Sequence, residues 1–175
     1  MDKDTREKIV LILIVCLTVG CSSPNTGGIR CPVIADNYIC AYKQEQESNL
    51  GAKGFLRLKG IEDITVLKFD TSRLKGMTVE KATLYLHKKK NNLLMAGIST
   101  IASDWVEGHG TGYTSRHRAS CFKYAAYKNI PWSYPGSDIT DVTFGQGNSL
   151  FAYVRPSLVK GWYAIDIPPD IVHSL

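Results

Sequence analysis

The sequence predicts an all-β protein whose main domain is a jelly-roll-like β-sandwich. Apolar residues recur with a period of two rather than 3.6, which is the spacing of half-buried strands. Glycine, asparagine and proline separate these runs at short intervals. No segment has a convincing helical pattern beyond one turn near residues 170–174. Many short strands divided by turns are typical of two packed sheets, and a jelly roll is the architecture that we predict.

The clearest strand is predicted over residues 79–87. Ala82, Leu84 and Leu86 share one face of this strand, which we expect to face the core. The remaining strands are predicted, in chain order, over residues 32–41, 55–59, 64–70, 93–101, 150–155 and 162–167. Together these strands define a domain over residues 33–175.

A long segment, residues 103–149, has little alternation and interrupts the series of strands. Loops of more than about 15 residues without secondary structure are uncommon in compact domains and are often functional. A disordered insert would be poor in aromatic residues. This segment instead contains the rings of Trp105, Tyr113, Phe122, Tyr124, Tyr127, Trp132 and Tyr134. We therefore predict an ordered loop that folds over the sandwich and exposes some of these rings.

The N-terminal residues have the pattern of an export signal. Three basic residues precede an apolar run over residues 9–19. This run is too short to span a bilayer, which needs about 20 residues. It ends in Gly20-Cys21 and resembles the lipobox of bacterial lipoproteins. We predict that residues 1–20 are a signal peptide, not a fold element, and that Cys21 carries lipid. The alternative is a plain secretory signal.

Residues 21–32 are rich in serine, glycine and asparagine and are predicted to be a flexible tether. The lipid would be the only membrane attachment of a domain at the cell envelope or outside the cell. Ser22, rather than aspartate, follows the predicted cleavage site. By resemblance to the usual sorting pattern, this favours the outer membrane if the cell is Gram-negative.

The composition favours an acidic partner. The chain has 175 residues and a formal net charge of +5. The segment 1–20 contains three basic and three acidic residues, so its removal leaves this charge unchanged. An anionic polysaccharide suits a moderately basic exported protein, whereas nucleic acid does not. The basic run at residues 88–90 is predicted to be a solvated turn.

Three cysteines remain in the predicted mature domain once Cys16 and Cys21 are set aside. They are Cys31, Cys40 and Cys121. Export would permit a disulfide, and two pairings stay open: Cys31–Cys40 and Cys40–Cys121. The spacing does not fit a zinc site, because no Cys-x-x-Cys pair is present.

Four motifs in the chain resemble the DNRLRE domain, which is also classed as carbohydrate-binding module family 96. They are ADNYI at 35–39, VLKFD followed by VEKATLYL at 66–86, DWVEGHGTG at 104–112 and PWSYPGSD at 131–138. Lys68 stands where the family usually has arginine, and Ser137 where it has a second glycine. The strand that the family places after Leu175 has no counterpart here, which predicts a truncated domain. The resemblance implies an extracellular β-sandwich that binds polysaccharide, including acidic sugars, and does not imply catalysis.

Sugar binding needs flat aromatic faces and side chains that bond hydroxyl or carboxylate groups. The residues predicted to supply them are Trp105, Tyr113, Arg116, Arg118, Trp132 and Tyr134. The alternative for the two tryptophans is a core role in anchoring the loop. A structural calcium ion is a further hypothesis, with Asp36, Asp138 and Asp166 as its ligands.

The function predicted is therefore a surface-anchored, non-catalytic polysaccharide-binding module. One alternative is a structural protein of the envelope or matrix that binds no sugar. A weaker alternative is a small extracellular polysaccharide lyase or hydrolase, since the loop contains Asp104, Glu107, His109 and His117.

Overall fold

The computed structural model describes the backbone of residues 11–16 and all atoms of residues 28–60, 62–89, 91–113, 118–143 and 149–174. The prediction of an all-β protein is confirmed, because most regular structure consists of antiparallel strands. The strands are β1 (Leu11–Cys16), β2 (Ile29–Cys31), β3 (Val33–Cys40), β4 (Asp63–Phe69), β5 (Lys81–His87), β6 (Ala96–Ser99), β7 (Phe151–Val154), β8 (Ser157–Val159) and β9 (Trp162–Ile167). The helices are short: α1 (Thr140–Thr143), α2 (Pro169–His173) and a 3₁₀ turn at Ser72–Leu74.

The largest sheet has five strands in the order β2-β1-β5-β9-β8, and β3-β4 and β6-β7 form two further pairs. Strands β5 and β9 are the centre of its core, with Leu84 opposite Ile165 in register. The buried face of β5 is the predicted one, since Ala82, Leu84 and Leu86 all lie in this core. Alternation predicted this face because it depends only on the strand's own period.

The strand predicted over residues 55–59 is wrong. Only Lys59 makes a β-bridge, to Asp63, and the preceding residues are irregular. The hydroxyl of Thr65 on β4 donates to the Arg57 carbonyl at 3.0 Å, so a side chain rather than a ladder holds the segment. Strand β8 is absent from the predicted strands. Its three residues are all exposed, so it lacks the alternation of buried and exposed residues by which the other strands are identified.

The N-terminal segments differ from their predictions. Strand β2 covers Ile29–Cys31, which lies inside the predicted tether, and Cys31 is buried. The tether prediction is therefore wrong for these residues. The apolar run predicted to lie outside the fold contributes strand β1, which pairs with β2 and β5. Cleavage before Cys21 would remove this strand, and export stays a prediction. The described residues contain no helix long and apolar enough to cross a membrane.

A second core lies under the long loop. We use the name flap for its described residues, 103–113 and 118–143. Its described residues form no strand, only an isolated bridge between Ala126 and Ile130. The flap nevertheless packs an apolar cluster onto the β3-β4 pair, with Ile39 and Val66 supplied by those strands. The flap is thus ordered by packing rather than by a hydrogen-bonded ladder.

The cysteines Cys31, Cys40 and Cys121 are all buried and none forms a disulfide in the structure. Neither of the two pairings left open by the sequence is present. Burial raises the pKa of each thiol, to about 12 for Cys40. A buried thiol with a raised pKa is a poor nucleophile and behaves as a small apolar side chain.

Candidate functional site

The buried side chain of Asn49 holds the flap against the rest of the domain. Its Nδ2 atom donates to the carbonyl oxygens of Glu107, at 2.6 Å, and Ser120, at 2.9 Å. Its Oδ1 atom accepts a hydrogen bond from the Gly110 amide at 2.7 Å. One asparagine therefore satisfies three backbone groups on two stretches of the flap. The Ser120 carbonyl also accepts a hydrogen bond from Asn37 at 3.3 Å, whereas the Glu107 carbonyl and the buried Gly110 amide depend on Asn49.

The glycines of the 104–112 motif make this close approach possible. A Cβ atom on Gly110 would overlap the Asn49 carbonyl oxygen. A Cβ atom on Gly108 would overlap that of Ala119, and Gly108 also has a positive φ of 76°. Only glycine fits both requirements. The motif thus serves to dock the flap.

The two tryptophans of the flap are core residues. Trp132 is fully buried, and its Nε1 atom donates to the Cys121 carbonyl at 2.9 Å. Trp105 is also buried in the same apolar cluster. The indole faces therefore cannot meet a ligand in this structure. Burial favours the core-anchor alternative and corrects the prediction that Trp105 and Trp132 bind sugar.

An open pocket of about 310 Å³ lies on the flap. We call it the flap pocket. Its described lining combines two aromatic rings with amide, ammonium, hydroxyl and carboxylate groups: Phe122, Tyr124, Gln46, Lys123, Ser137 and Asp138, with Gly136. This mixture of flat apolar faces and hydrogen-bonding groups is the chemistry expected of a small polar ligand site.

The turn at residues 133–137 forms one side of the flap pocket. The Ser137 hydroxyl accepts hydrogen bonds from the amides of Ser133, at 2.9 Å, and Tyr134, at 3.1 Å. The Ser137 amide donates back to the Tyr134 carbonyl at 3.0 Å. Gly136 supplies the positive φ of 90° that this turn needs. Ser137 is therefore a structural part of the turn.

Charges of both signs surround the flap pocket. Lys123 pairs with the Glu47 carboxylate at 3.0 Å, and the Tyr127 hydroxyl donates to the same carboxylate at 2.9 Å. These bonds hold the pKa of Glu47 below its usual value, with the Lys123 bond the larger cause. Glu47 in turn raises the pKa of Lys123. Both groups are therefore charged at neutral pH.

The carboxylates of Asp138 and Asp141 supply the negative charge beside the flap pocket. Asp138 accepts the Thr140 amide at 2.8 Å, and the Asp141 carboxylate accepts the Asp138 amide at 2.9 Å. The negative charge of Asp141, and then its hydrogen bond with the phenol, raise the pKa of Tyr134. The phenol of Tyr134 is thus oriented toward Asp141, while 58% of the residue stays exposed.

The predicted site residues lie at different places relative to the flap pocket. Tyr134 lies in the turn beside the flap pocket, and its ring is exposed as predicted. Tyr113 is also exposed, at 68%, but it is not among the described residues that line the pocket. Arg118 is exposed too, and it is not among the described residues that line the pocket. Arg116 lies outside the described residues, as does Cys21.

The predicted calcium ligands do not come together. Asp36 is on β3 near Glu107, Asp138 caps α1, and Asp166 on β9 accepts the Thr83 hydroxyl at 2.8 Å. The carboxylates of Asp138 and Asp166 already accept local hydrogen bonds. Within the part of the chain that the structure describes, no group of three or more His, Cys, Asp and Glu side chains could hold a metal ion.

The carboxylates of Asp36 and Glu107 bear on the alternative that the protein is a polysaccharide lyase or hydrolase. Burial, and then the charge of Asp36, raise the pKa of Glu107. Burial also raises the pKa of Asp36. Neither residue lines the flap pocket, and Asp104 makes a surface ion pair with Lys68 at 2.7 Å. The structure thus separates the acidic residues of the 104–109 stretch from the pocket.

Several lining residues were not predicted from the sequence. Gln46 belongs to a polar turn that precedes β4 by many residues, and Lys123 looked like an ordinary surface charge. Tyr124 is one of several aromatic residues in the loop, and the sequence does not distinguish it from the others. No local signal identifies these residues, because the pocket forms only when the flap folds back onto the 42–48 turn.

Comparison with known proteins provides no assignment, since no family model, curated protein or solved structure matches the chain. The resemblance to the DNRLRE domain therefore depends on the four sequence motifs alone.

Proposed function

We propose that this chain is a non-catalytic polysaccharide-binding module that holds its ligand in the flap pocket. The observation that supports this proposal is the grouping of the half-buried Tyr124 ring with the polar groups of Gln46, Lys123 and Asp138 around one open cavity. Sugar rings present C–H faces that pack on aromatic rings and hydroxyls that need both donors and acceptors.

The flap pocket suits a short stretch of polysaccharide rather than a large ligand. Its volume of about 310 Å³ is at the lower end for small-molecule sites. The exposed ring of Tyr134 would extend the contact surface beyond the cavity. Lys123 would meet the carboxylate of a uronic acid, whereas Asp138 would accept hydrogen bonds from hydroxyls. The proposal therefore includes acidic glycans.

Membership of the DNRLRE family and a jelly-roll arrangement of the sheets belong to the same proposal. The alternating strands and the order of the four motifs support them. A family member of this kind would act by binding.

Affinity electrophoresis and a glycan array with neutral and uronic-acid polysaccharides test this function. We expect Tyr124→Ala to weaken binding by about tenfold, since the loss of one stacked ring costs roughly 1 kcal/mol or more. Tyr153→Ala is the matched control, because Tyr153 is exposed on β7 and does not line the pocket. If no glycan retards the wild-type chain, the proposed function is wrong.

We further propose that the chain is exported and anchored through lipid on Cys21. In bacteria grown with labelled palmitate, the wild-type chain should incorporate the label and Cys21→Ser should not. Processing without label would support the plain secretory alternative, and retention of the full mass would contradict export.

Because β1 lies between β2 and β5, the processed chain should also unfold at a lower denaturant concentration than the unprocessed chain.

The structural alternative has one observation in its favour. Strand β8 is at the edge of the five-stranded sheet, and Leu158 and Val159 on it are both exposed. An exposed apolar edge strand can pair with another chain. Concentration-dependent assembly without glycan binding would therefore favour a role in the envelope or matrix.

A further inference from the structure

A second cavity, of about 300 Å³, lies between two segments that are distant in sequence. One wall is the irregular segment 56–59, and the other comprises the end of β5, Lys88 and residues 91–93. We call this cavity the basic groove. It shares no described lining residue with the flap pocket, so it is a separate feature of the surface.

The walls of the basic groove are held in place by hydrogen bonds. The Tyr163 hydroxyl accepts the Leu93 amide at 2.8 Å and donates to the Asn91 carbonyl at 2.9 Å. The Lys88 amide donates to the Gly161 carbonyl at 2.9 Å. Strand β9 and its turn thus fix the 88–93 wall, which preorganises the groove.

The interior of the basic groove is apolar. Leu58 is exposed and Leu93 is half-buried, so these two side chains supply the accessible apolar surface, whereas Leu56, Leu86 and Tyr163 are buried beneath it. A fully hydrated inorganic ion would gain nothing from this surface. A ligand with an apolar body would remove both its own surface and that of the groove from water, at about 25 cal/mol per Å².

The rim of the basic groove is cationic. Three cationic side chains, those of Arg57, Lys59 and Lys88, line it together with the imidazole of His87. Lys88 contacts the neutral Asn92 amide oxygen at 2.5 Å, so this contact leaves its charge uncompensated. His87 packs edge-on against Trp162 with ring centroids 4.9 Å apart, which orients its imidazole.

Counter-ions neutralise only part of this charge. Lys59 pairs with Glu62 at 2.7 Å on the exposed side of the segment. Arg57 uses its Nε atom for the buried Asp63 carboxylate at 3.0 Å. This ion pair leaves the four other N–H bonds of the guanidinium unused. Neither acidic residue is among the described lining, whereas all the cations are.

We propose that the basic groove binds a small organic anion, with a sulfonate, sulfate, phosphate or carboxylate group on a compact apolar body. The acid group meets the cationic rim, and the apolar body lies against Leu58 and Leu93. The volume of about 300 Å³ fits about 10–15 non-hydrogen atoms, which is the size of a small molecule.

Calorimetric titration of the full chain with naphthalene-1-sulfonate tests this site. We expect saturable one-to-one binding that weakens as salt is added, since the attraction is partly electrostatic. The neutral isostere naphthalene-1-sulfonamide should bind at least about tenfold more weakly, and inorganic sulfate should not compete at equal concentration. Equal binding of the sulfonate and the sulfonamide would overturn the proposal, as would no binding of the sulfonate.

Variants locate the site. Lys88→Gln and Lys59→Gln should each weaken sulfonate binding by about fivefold, and the double variant by more. Arg57 is left intact because its loss would strand the buried Asp63 charge and risk unfolding. Lys75→Gln is the control, since Lys75 is exposed and does not line the groove. Binding that is unchanged in the Lys59/Lys88 double variant would overturn the proposal even if the sulfonate binds elsewhere.

Discussion

Replacement of Asn49 with alanine is expected to lower the free energy of unfolding by about 3 kcal/mol, because three backbone groups of the flap each lose a hydrogen bond, although the Ser120 carbonyl retains the one from Asn37. These groups are the carbonyls of Glu107 and Ser120 and the amide of Gly110. Urea unfolding followed by tryptophan fluorescence measures the loss. Hydrogen exchange at the Gly110 amide should accelerate more than exchange in β5, because the effect is centred on the flap.

Two further variants make the test specific. Asn49→Asp keeps an acceptor for Gly110 but removes both donated hydrogen bonds, so we expect it to be destabilised as well. Asn129→Ala is the matched control, since Asn129 is exposed in the same flap, and its stability should stay within about 0.5 kcal/mol of wild type. An Asn49→Ala protein with the wild-type urea midpoint would show that the side chain does not dock the flap.

Replacement of Trp132 with alanine should be at least as severe, at about 3–5 kcal/mol, which is typical when a fully buried large aromatic ring is removed. The ring fills the cluster between the flap and the β3-β4 pair. A loss of this size is comparable to the whole stability of many single domains, so a large unfolded fraction is expected at 37 °C. Circular dichroism and urea unfolding measure it.

The Trp132→Phe variant distinguishes the contribution of the buried ring from that of the hydrogen bond donated by Trp132 Nε1. Phenylalanine keeps much of the ring, and the Cys121 carbonyl still accepts the Tyr124 amide at 3.3 Å. The phenylalanine variant should therefore lose less stability than the alanine variant. Tyr134→Ala serves as the exposed-ring control and should leave stability nearly unchanged. Equal stability of Trp132→Ala and wild type would contradict the core assignment of this ring.

Binding and stability should separate in these variants. Tyr134→Ala is expected to fold normally, so a change in glycan retardation would report on contact with the ligand. Trp132 has no exposed surface. Any loss of glycan binding in Trp132→Ala should therefore parallel the loss of folded protein rather than the loss of a contact. The two tryptophans predicted to bind sugar can thus be distinguished from the tyrosine that the structure leaves exposed.

The sequence by itself determined the strands whose apolar residues alternate, because the period of two and its buried face are properties of a single strand. β9 has the predicted bounds, and β5 buries the predicted face. Local signals were equally sufficient for the exposure of Tyr134, which lies before Pro135 and Gly136 in a turn. Segments without such a signal were missed or misassigned, as at β8 and residues 55–59.

Only the tertiary structure decided which rings are buried and where cavities form. Trp132 and Tyr134 are two residues apart and chemically similar, yet one is in the core and the other in solvent. The flap pocket needs the contact of the flap with the 42–48 turn, and the basic groove needs residues 56–59 to meet residues 86–93. The physical reason is that burial and cavity shape depend on which distant segments pack together, and no local pattern encodes that choice.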